Sequence, residues 1–250
     1  MKNIKLIVEY DGTNYGGWQR QKNAPSIQKI MEDGIYALTG EEVDIIASGR
    51  TDSGVHARGQ VVNFKTSSTI PPERFSYALN AMLPSDIRIK GSMEVPESFH
   101  ARYDAAGKHY SYSIISSQQG IAIGRQYYYH IRGSLDVSAM EEAAKHFVGT
   151  YDFSAFRATG GSVKTSIRTI YKSYIEWREP YIYYHVTGSG FLYNMVRIIV
   201  GTLIDVGRHK LRPDDIHSII DSKDRNMAGP TAPPHGLCLE EVYYKKEDLL

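Results

Sequence analysis

Apolar and polar residues alternate from Ile4 to Tyr10, the pattern of a half-buried strand. A glycine-rich stretch, "DGTNYGGWQRQKNAP", interrupts it. The period then lengthens to that of a helix, with Ile27, Ile30, Met31, Ile35 and Leu38 on one face. Ser26 stands where a hydroxyl can accept from the first unpaired amides, and Gly40 ends the run. Val43 to Ala47 and Gln60 to Thr66 predict two more strands, Pro72 to Leu83 a helix, and Ile87 to Val95 a strand, giving β-α-β-β-α-β. "KHYSYSII" predicts a further strand with Tyr110, Tyr112 and Ile114 on one face.

A similar order then recurs. Tyr127 to Ile131 predicts a strand, and the capping box Ser138 to Glu141 opens a helix. Ile170 to Trp177 and Ile182 to Thr187 predict strands joined by "REP". The apolar helix "FLYNMVRIIVGTLIDVG", a short helix after Pro213 and a closing strand from Leu237 to Lys245 complete it. The expectation is an α+β fold of two ferredoxin-like (RRM-like) halves, residues 1–105 and 106–250, forming a largely antiparallel extended sheet with a central cleft.

Composition sharpens this only in part. With 42% hydrophobic residues in 250, the chain can bury a core of ordinary size. Lys and Arg total 29 against 28 Asp and Glu, so any polyanion site must be a local cluster. The single cysteine, Cys238, rules out an internal disulfide framework. "MKNIKLIVEYDG" enters a strand pattern at once and not a signal peptide, and no run is long enough to span a membrane; both point to a cytoplasmic protein. The nine histidines lack ligand spacing and the glycine loops lack a P-loop's lysine, so no metal and no nucleotide cofactor is expected.

"SGRTDSGVHARGQ", Ser48 to Gln60, packs Arg50, Asp52, His56 and Arg58 between two predicted strands. Taken alone, Asp52 before Ser-Gly is ordinary turn chemistry, and His56 a loop hydrogen-bonder. A second feature is Arg197 on a helix with Leu192, Val196, Ile199, Val200 and Leu203 on one face and Ile204 beside it. Either this guanidinium snorkels to solvent or it meets a carboxylate in a half-buried site of the kind that marks chemistry. Arg157, Lys164, Arg168 and Lys172 form a local basic cluster, either a solvated face or a track for phosphates.

The motifs "EYDGTNYGGWQRQ", "GRTDSGVHA", "FHARYDA", "YDFSAF", "SIRTI", "GSGFLYNMVR" and "TAPPHGLCLEEVYY" together resemble, in order along the chain, those of the tRNA pseudouridine synthases, most closely the A (pseudouridine synthase I) group. The resemblance implies an isomerase that converts uridine to pseudouridine at positions 38, 39 and/or 40 of the tRNA anticodon stem-loop, as a homodimer without cofactor. It implies Asp52 as the essential carboxylate, Arg50 and Arg197 as its ionic partners, and Tyr110 as the aromatic that stacks on the target base. Arg58, His56, Arg157, Lys164 and Arg168 are candidate RNA contacts. Ser111 departs from the family, where a basic residue is expected. An RNA-binding module or a glycosidase would use similar residues, but the first needs no carboxylate and the second wants a paired one.

Overall fold

The computed structural model describes residues 1–160 and 165–249. Its fold is α+β, with largely antiparallel strand pairing and five α-helices among the described residues. The chain divides into two units, one of residues 1–106 with 238–244, the other of residues 107–237 with 245–249.

In the first unit β1 (Lys2–Tyr10) lies between β3 (His56–Thr66) and β4 (Ile87–Val95), antiparallel to both. The two-residue β2 (Ile46–Ala47) pairs antiparallel with β3 at Asn63 and Val62. At the other end of β3, His56 and Ala57 pair in parallel with Cys238 and Leu239 of the last strand, Leu237–Tyr243. Helix α1 (Ile27–Thr39) begins where expected, the Ser26 hydroxyl accepting from the Lys29 amide, and Gly40 closes it at φ 74°. Ile4, Leu6 and Val8, Val62 and Phe64, Ile27, Met31 and Ile35 fill the core, with Phe75 edge-on to Phe64 at 5.7 Å.

Two elements are shorter than their patterns predict. The Glu32 carboxylate accepts from the Ile45 amide at 3.3 Å and takes it out of the ladder, so only Ile46 and Ala47 pair. Pro72–Arg74 is a 3-10 turn and α2 covers only Phe75–Asn80. Asn80 stops it by exchanging two hydrogen bonds with the Ile89 backbone, at 2.8 and 2.9 Å.

In the second unit β5 (Gly107–Ser117) pairs in parallel with β6 (Tyr129–Arg132) and antiparallel with β9 (Tyr181–Gly188). β8 (Ile167–Arg178) follows β9, and β7 (Gly149–Asp152) follows β8, both antiparallel. Four residues without alternation gave β7 no pattern to find. Asp136, not Ser138, caps α3 (Val137–Lys145), its carboxylate accepting from the Ala139 amide at 3.0 Å. Helix α4 (Met195–Gly207) starts four residues later than expected, and α5 (Asp215–Ser222) follows it; the last strand, β10 (Leu237–Tyr243), belongs to the first unit from Cys238 on. Strand and helix are joined through Ser173, whose hydroxyl donates to the Ala144 carbonyl at 2.7 Å and meets the Tyr184 hydroxyl at 3.0 Å.

Candidate functional site

The stretch between β2 and β3 is held at nearly every residue. Ser48 donates its amide to Val61 at 2.8 Å and its hydroxyl to Gln60 Oε1 at 2.6 Å. The Gly49 carbonyl accepts from Gln60 Nε2 at 2.9 Å. Thr51 Oγ1 lies 2.8 Å from the Tyr10 hydroxyl, and the Thr51 carbonyl accepts from the Trp18 amide at 3.0 Å. The Tyr15 carbonyl takes the Ser53 hydroxyl at 3.1 Å and the Gly54 amide at 3.3 Å. Asp52 is half-buried between these anchors, its carbonyl closing a turn with the Val55 amide at 3.1 Å. The turn reading of this aspartate is thus part of the geometry, and its neighbours on both sides are clamped.

The glycine-rich loop after β1 supplies half of the clamp. Gly17, at φ 106°, brings this loop so close that a Cβ there would lie 2.7 Å from the Thr51 carbonyl oxygen. Only glycine takes both the left-handed backbone and the approach without strain. The same loop engages His56, which is buried: the Gly12 amide donates to Nδ1 at 3.0 Å, and Asp11 Oδ1 lies 3.1 Å from the same nitrogen. An Nδ1 without a proton accepts from Gly12, and one that carries a proton donates to Asp11. Arg50 and Arg58 are exposed, and Arg58 donates to the Glu240 carboxylate of β10 at 2.7 Å, which keeps its guanidinium firmly charged. Asp52, Arg50, His56 and Arg58 therefore all belong to the first unit.

Arg197, Tyr110, Arg157 and Arg168 belong to the second. Asn194, with φ 60°, turns the chain into α4 and places its side-chain oxygen 2.8 Å from Arg197 Nη1. Arg197 Nε donates to the Ala232 carbonyl at 2.7 Å. From Met195 to Ile204 every residue but Arg197 is buried. Two nitrogens of this half-buried guanidinium are thus committed to protein oxygens. Segment 229–232 can reach Arg197 because Gly201 leaves room: a Cβ there would stand 1.7 Å from the Pro230 carbonyl oxygen.

Tyr110 is only 8% exposed and meets Phe191 edge-on at 5.2 Å, ring planes at 85°. Ser111 faces the opposite side of β5, paired with His185 of β9, so the departure at this position does not share a face with Tyr110. Arg157 and Arg168 come close enough that Arg157 adds to burial in lowering the Arg168 pKa. Lys172 lies beyond a register shift in β8, and Lys164 falls outside the described residues. Among the described residues no group of three or more His, Cys, Asp or Glu could hold a metal ion. No helix of the described residues is long and apolar enough to cross a membrane.

Residues 6–104 and 143–245 match the family model described as tRNA pseudouridine synthase. This chain belongs to the tRNA pseudouridine synthase family. Its activity class is therefore isomerase. It is 57% identical over 244 residues to "tRNA pseudouridine synthase A" of Acetivibrio thermocellus, covering 98% of this chain and 100% of that relative. The protein of the same name from Clostridium acetobutylicum is 52% identical with the same coverage, and "tRNA pseudouridine synthase A 2" of Clostridium perfringens 53%. The family's match spans both the clamped loop with Asp52 and the helix with Arg197. No single motif marks Gln60 or Tyr10 as a support of that loop, or Asn194 and Ala232 as the grip on Arg197. The one local signal was a glutamine at a position whose neighbours in period, Val62 and Phe64, are apolar.

Proposed function

We propose that the protein isomerises uridine to pseudouridine in the anticodon stem-loop of tRNA, at positions 38, 39 and/or 40, with Asp52 as the essential carboxylate and no cofactor or metal. Arg197 and Arg50 are its ionic partners in this reading, and Tyr110 stacks on the target base. Arg58, Arg157, Arg168 and Lys164 meet the RNA backbone; His56, a candidate RNA contact from its motif, is buried on Gly12 and Asp11 and in this reading serves the RNA through the loop it holds. Two ferredoxin-like halves, residues 1–105 and 106–250, an extended sheet, a central cleft, a homodimer and a cytoplasmic setting belong to the same proposal. What carries it is the setting of Asp52, a carboxylate on a clamped turn in a chain of this family.

The chemistry asks for these residues. The bond from ribose C1′ to uracil N1 breaks, the base turns, and C5 bonds to C1′; C5 then loses its proton and N1 gains one. The base must leave the stack first, at on the order of a few kcal/mol, and an aromatic such as Tyr110 returns about 1 to 3 kcal/mol by stacking. An ionised carboxylate stabilises the positive character that develops at C1′, bonds to it, takes a ribose proton, or attacks the base. Each route needs the charged form, and a guanidinium neighbour favours it. Unmodified tRNA incubated with the wild type and with Asp52→Asn tests the reading: pseudouridine forms only with the wild type. Free uracil as the product, or binding without either product, defeats it, and so does an active Asp52→Asn. A purely monomeric species by light scattering at working concentration removes the dimer from the proposal.

A further inference from the structure

Gln60 is fully buried, opposite Val8 of β1 and in period with Val62 and Phe64, a place where the core asks for an apolar side chain. An amide buried there without partners costs on the order of a few kcal/mol. Its polar atoms are all used, and their destination is informative: Oε1 accepts from the Ser48 hydroxyl at 2.6 Å, and Nε2 donates to the Gly49 carbonyl at 2.9 Å and reaches the Tyr10 hydroxyl at 3.5 Å. None of these bonds ties strand to helix. The Tyr10 hydroxyl, equally enclosed, continues the chain to Thr51 Oγ1 at 2.8 Å. Burial pushes the Tyr10 pKa up, so the phenol stays protonated and keeps its donor. One buried network thus starts in the strand core and ends on three of the four residues preceding Asp52.

We propose that Tyr10, Gln60 and Thr51 are positioning residues for the isomerisation, holding the backbone that presents Asp52 through this network. The inference rests on Asp52 being the essential carboxylate. Placement matters steeply for a group that must stand against one atom of the substrate: a displacement of about 1 Å can cost on the order of a hundredfold in rate. The loop has a second set of anchors, at Trp18 and Tyr15, so removing one hydroxyl shifts it without releasing it.

Tyr10→Phe deletes only the hydroxyl and keeps the ring against Trp18, whose centroid is 6.1 Å away. Single-turnover rate on unmodified tRNA, tRNA affinity and thermal unfolding are measured for Tyr10→Phe, Thr51→Val, Thr51→Ser, the double variant Tyr10→Phe/Thr51→Val and Asp52→Asn. The expected result is a rate lowered by about 10- to 100-fold in Tyr10→Phe and Thr51→Val, with affinity unchanged. Thr51→Ser, which keeps the hydroxyl, regains most of the rate, and the double variant is no slower than the slower single. Wild-type rates in both singles, losses that multiply in the double, or a Thr51→Ser as slow as Thr51→Val with the fold intact would overturn positioning while leaving Asp52 in its role. An active Asp52→Asn would instead remove the reading on which it rests. Gln60→Met is a further arm; should it fail to fold, the hydroxyl variants decide alone.

Discussion

Arg197 and Ala232 hold each other through both side chain and backbone: Arg197 Nε donates to the Ala232 carbonyl at 2.7 Å, and the Ala232 amide donates to the Arg197 carbonyl at 3.0 Å. With Asn194 on Nη1 at 2.8 Å, the plane of the guanidinium is set by two oxygens at fixed places. An ammonium is a point charge on a flexible stem and cannot reproduce that fork. Arg197→Lys is therefore expected to lose nearly as much turnover as Arg197→Met, although it keeps the charge. It is also expected to destabilise the fold by about 1 to 3 kcal/mol through the acceptors left unpaired. Pseudouridine formation and thermal unfolding measured together check this. A lysine variant at wild-type rate would show that charge alone suffices.

Gly17→Ala tests the other unit. A methyl group must be placed at φ 106° and 2.7 Å from the Thr51 carbonyl oxygen, so the two loops must part. We expect about 1 to 3 kcal/mol of lost stability and a fall in single-turnover rate, because Thr51 adjoins Asp52. A destabilised variant with an unchanged rate would mean that the loop regains its position by other anchors.

What could be read along the chain was what short-range physics decides. β1 and α1 announced themselves because alternation, a serine cap and a terminal glycine lie within a few residues of what they control. Asp136 displaced Ser138 as the cap of α3 because two oxygen side chains two residues apart compete for the same amides, and the pattern cannot rank them. The grip of Ala232 on Arg197 spans 35 positions, and the parallel pairing of β10 with β3 spans more than that; neither leaves a periodic trace. The same holds at the site. The motif marks the loop that carries Asp52, but Tyr10, which meets Thr51, looks like an ordinary strand residue, and Gln60 shows only as an amide in an apolar period, until β1 and β3 are brought into register.

Arg168 lies where burial and Arg157 both lower its pKa, an arrangement of two cations that a polyanion relieves. Its Nη1 is turned back onto the carbonyls of Thr165 and Ile167, at 3.0 and 2.6 Å, which fixes where the charge stands. If it contacts a phosphate, Arg168→Gln should weaken tRNA binding and reduce the slope of log affinity against log salt by about 0.7 to 0.9, the release of one counterion. Binding titrations at several salt concentrations measure it. An unchanged slope would take Arg168 out of the RNA-binding surface.

Asp152 links two of the family's motifs in the second unit. Its Oδ1 accepts from the Ser154 amide at 3.1 Å and the Ser154 hydroxyl at 2.6 Å, and that hydroxyl also meets Ser166 at 2.9 Å. The Ser154 hydroxyl first, then Ser166, hold the Asp152 carboxyl down at about 2, with Lys223 adding a little from 3.6 Å. A carboxylate whose pKa is lower folded than unfolded stabilises the fold above its unfolded pKa, and that contribution vanishes as pH falls through the folded value. Asp152→Asn keeps an acceptor oxygen but no charge. It is expected to be less stable than the wild type at neutral pH by about 1 kcal/mol, the figure being reduced for solvent screening. The difference should narrow from about pH 4 downward and be lost near pH 2. Urea unfolding of both proteins across that window gives the answer, and a difference that does not change with pH would assign the stabilisation to geometry and not to charge.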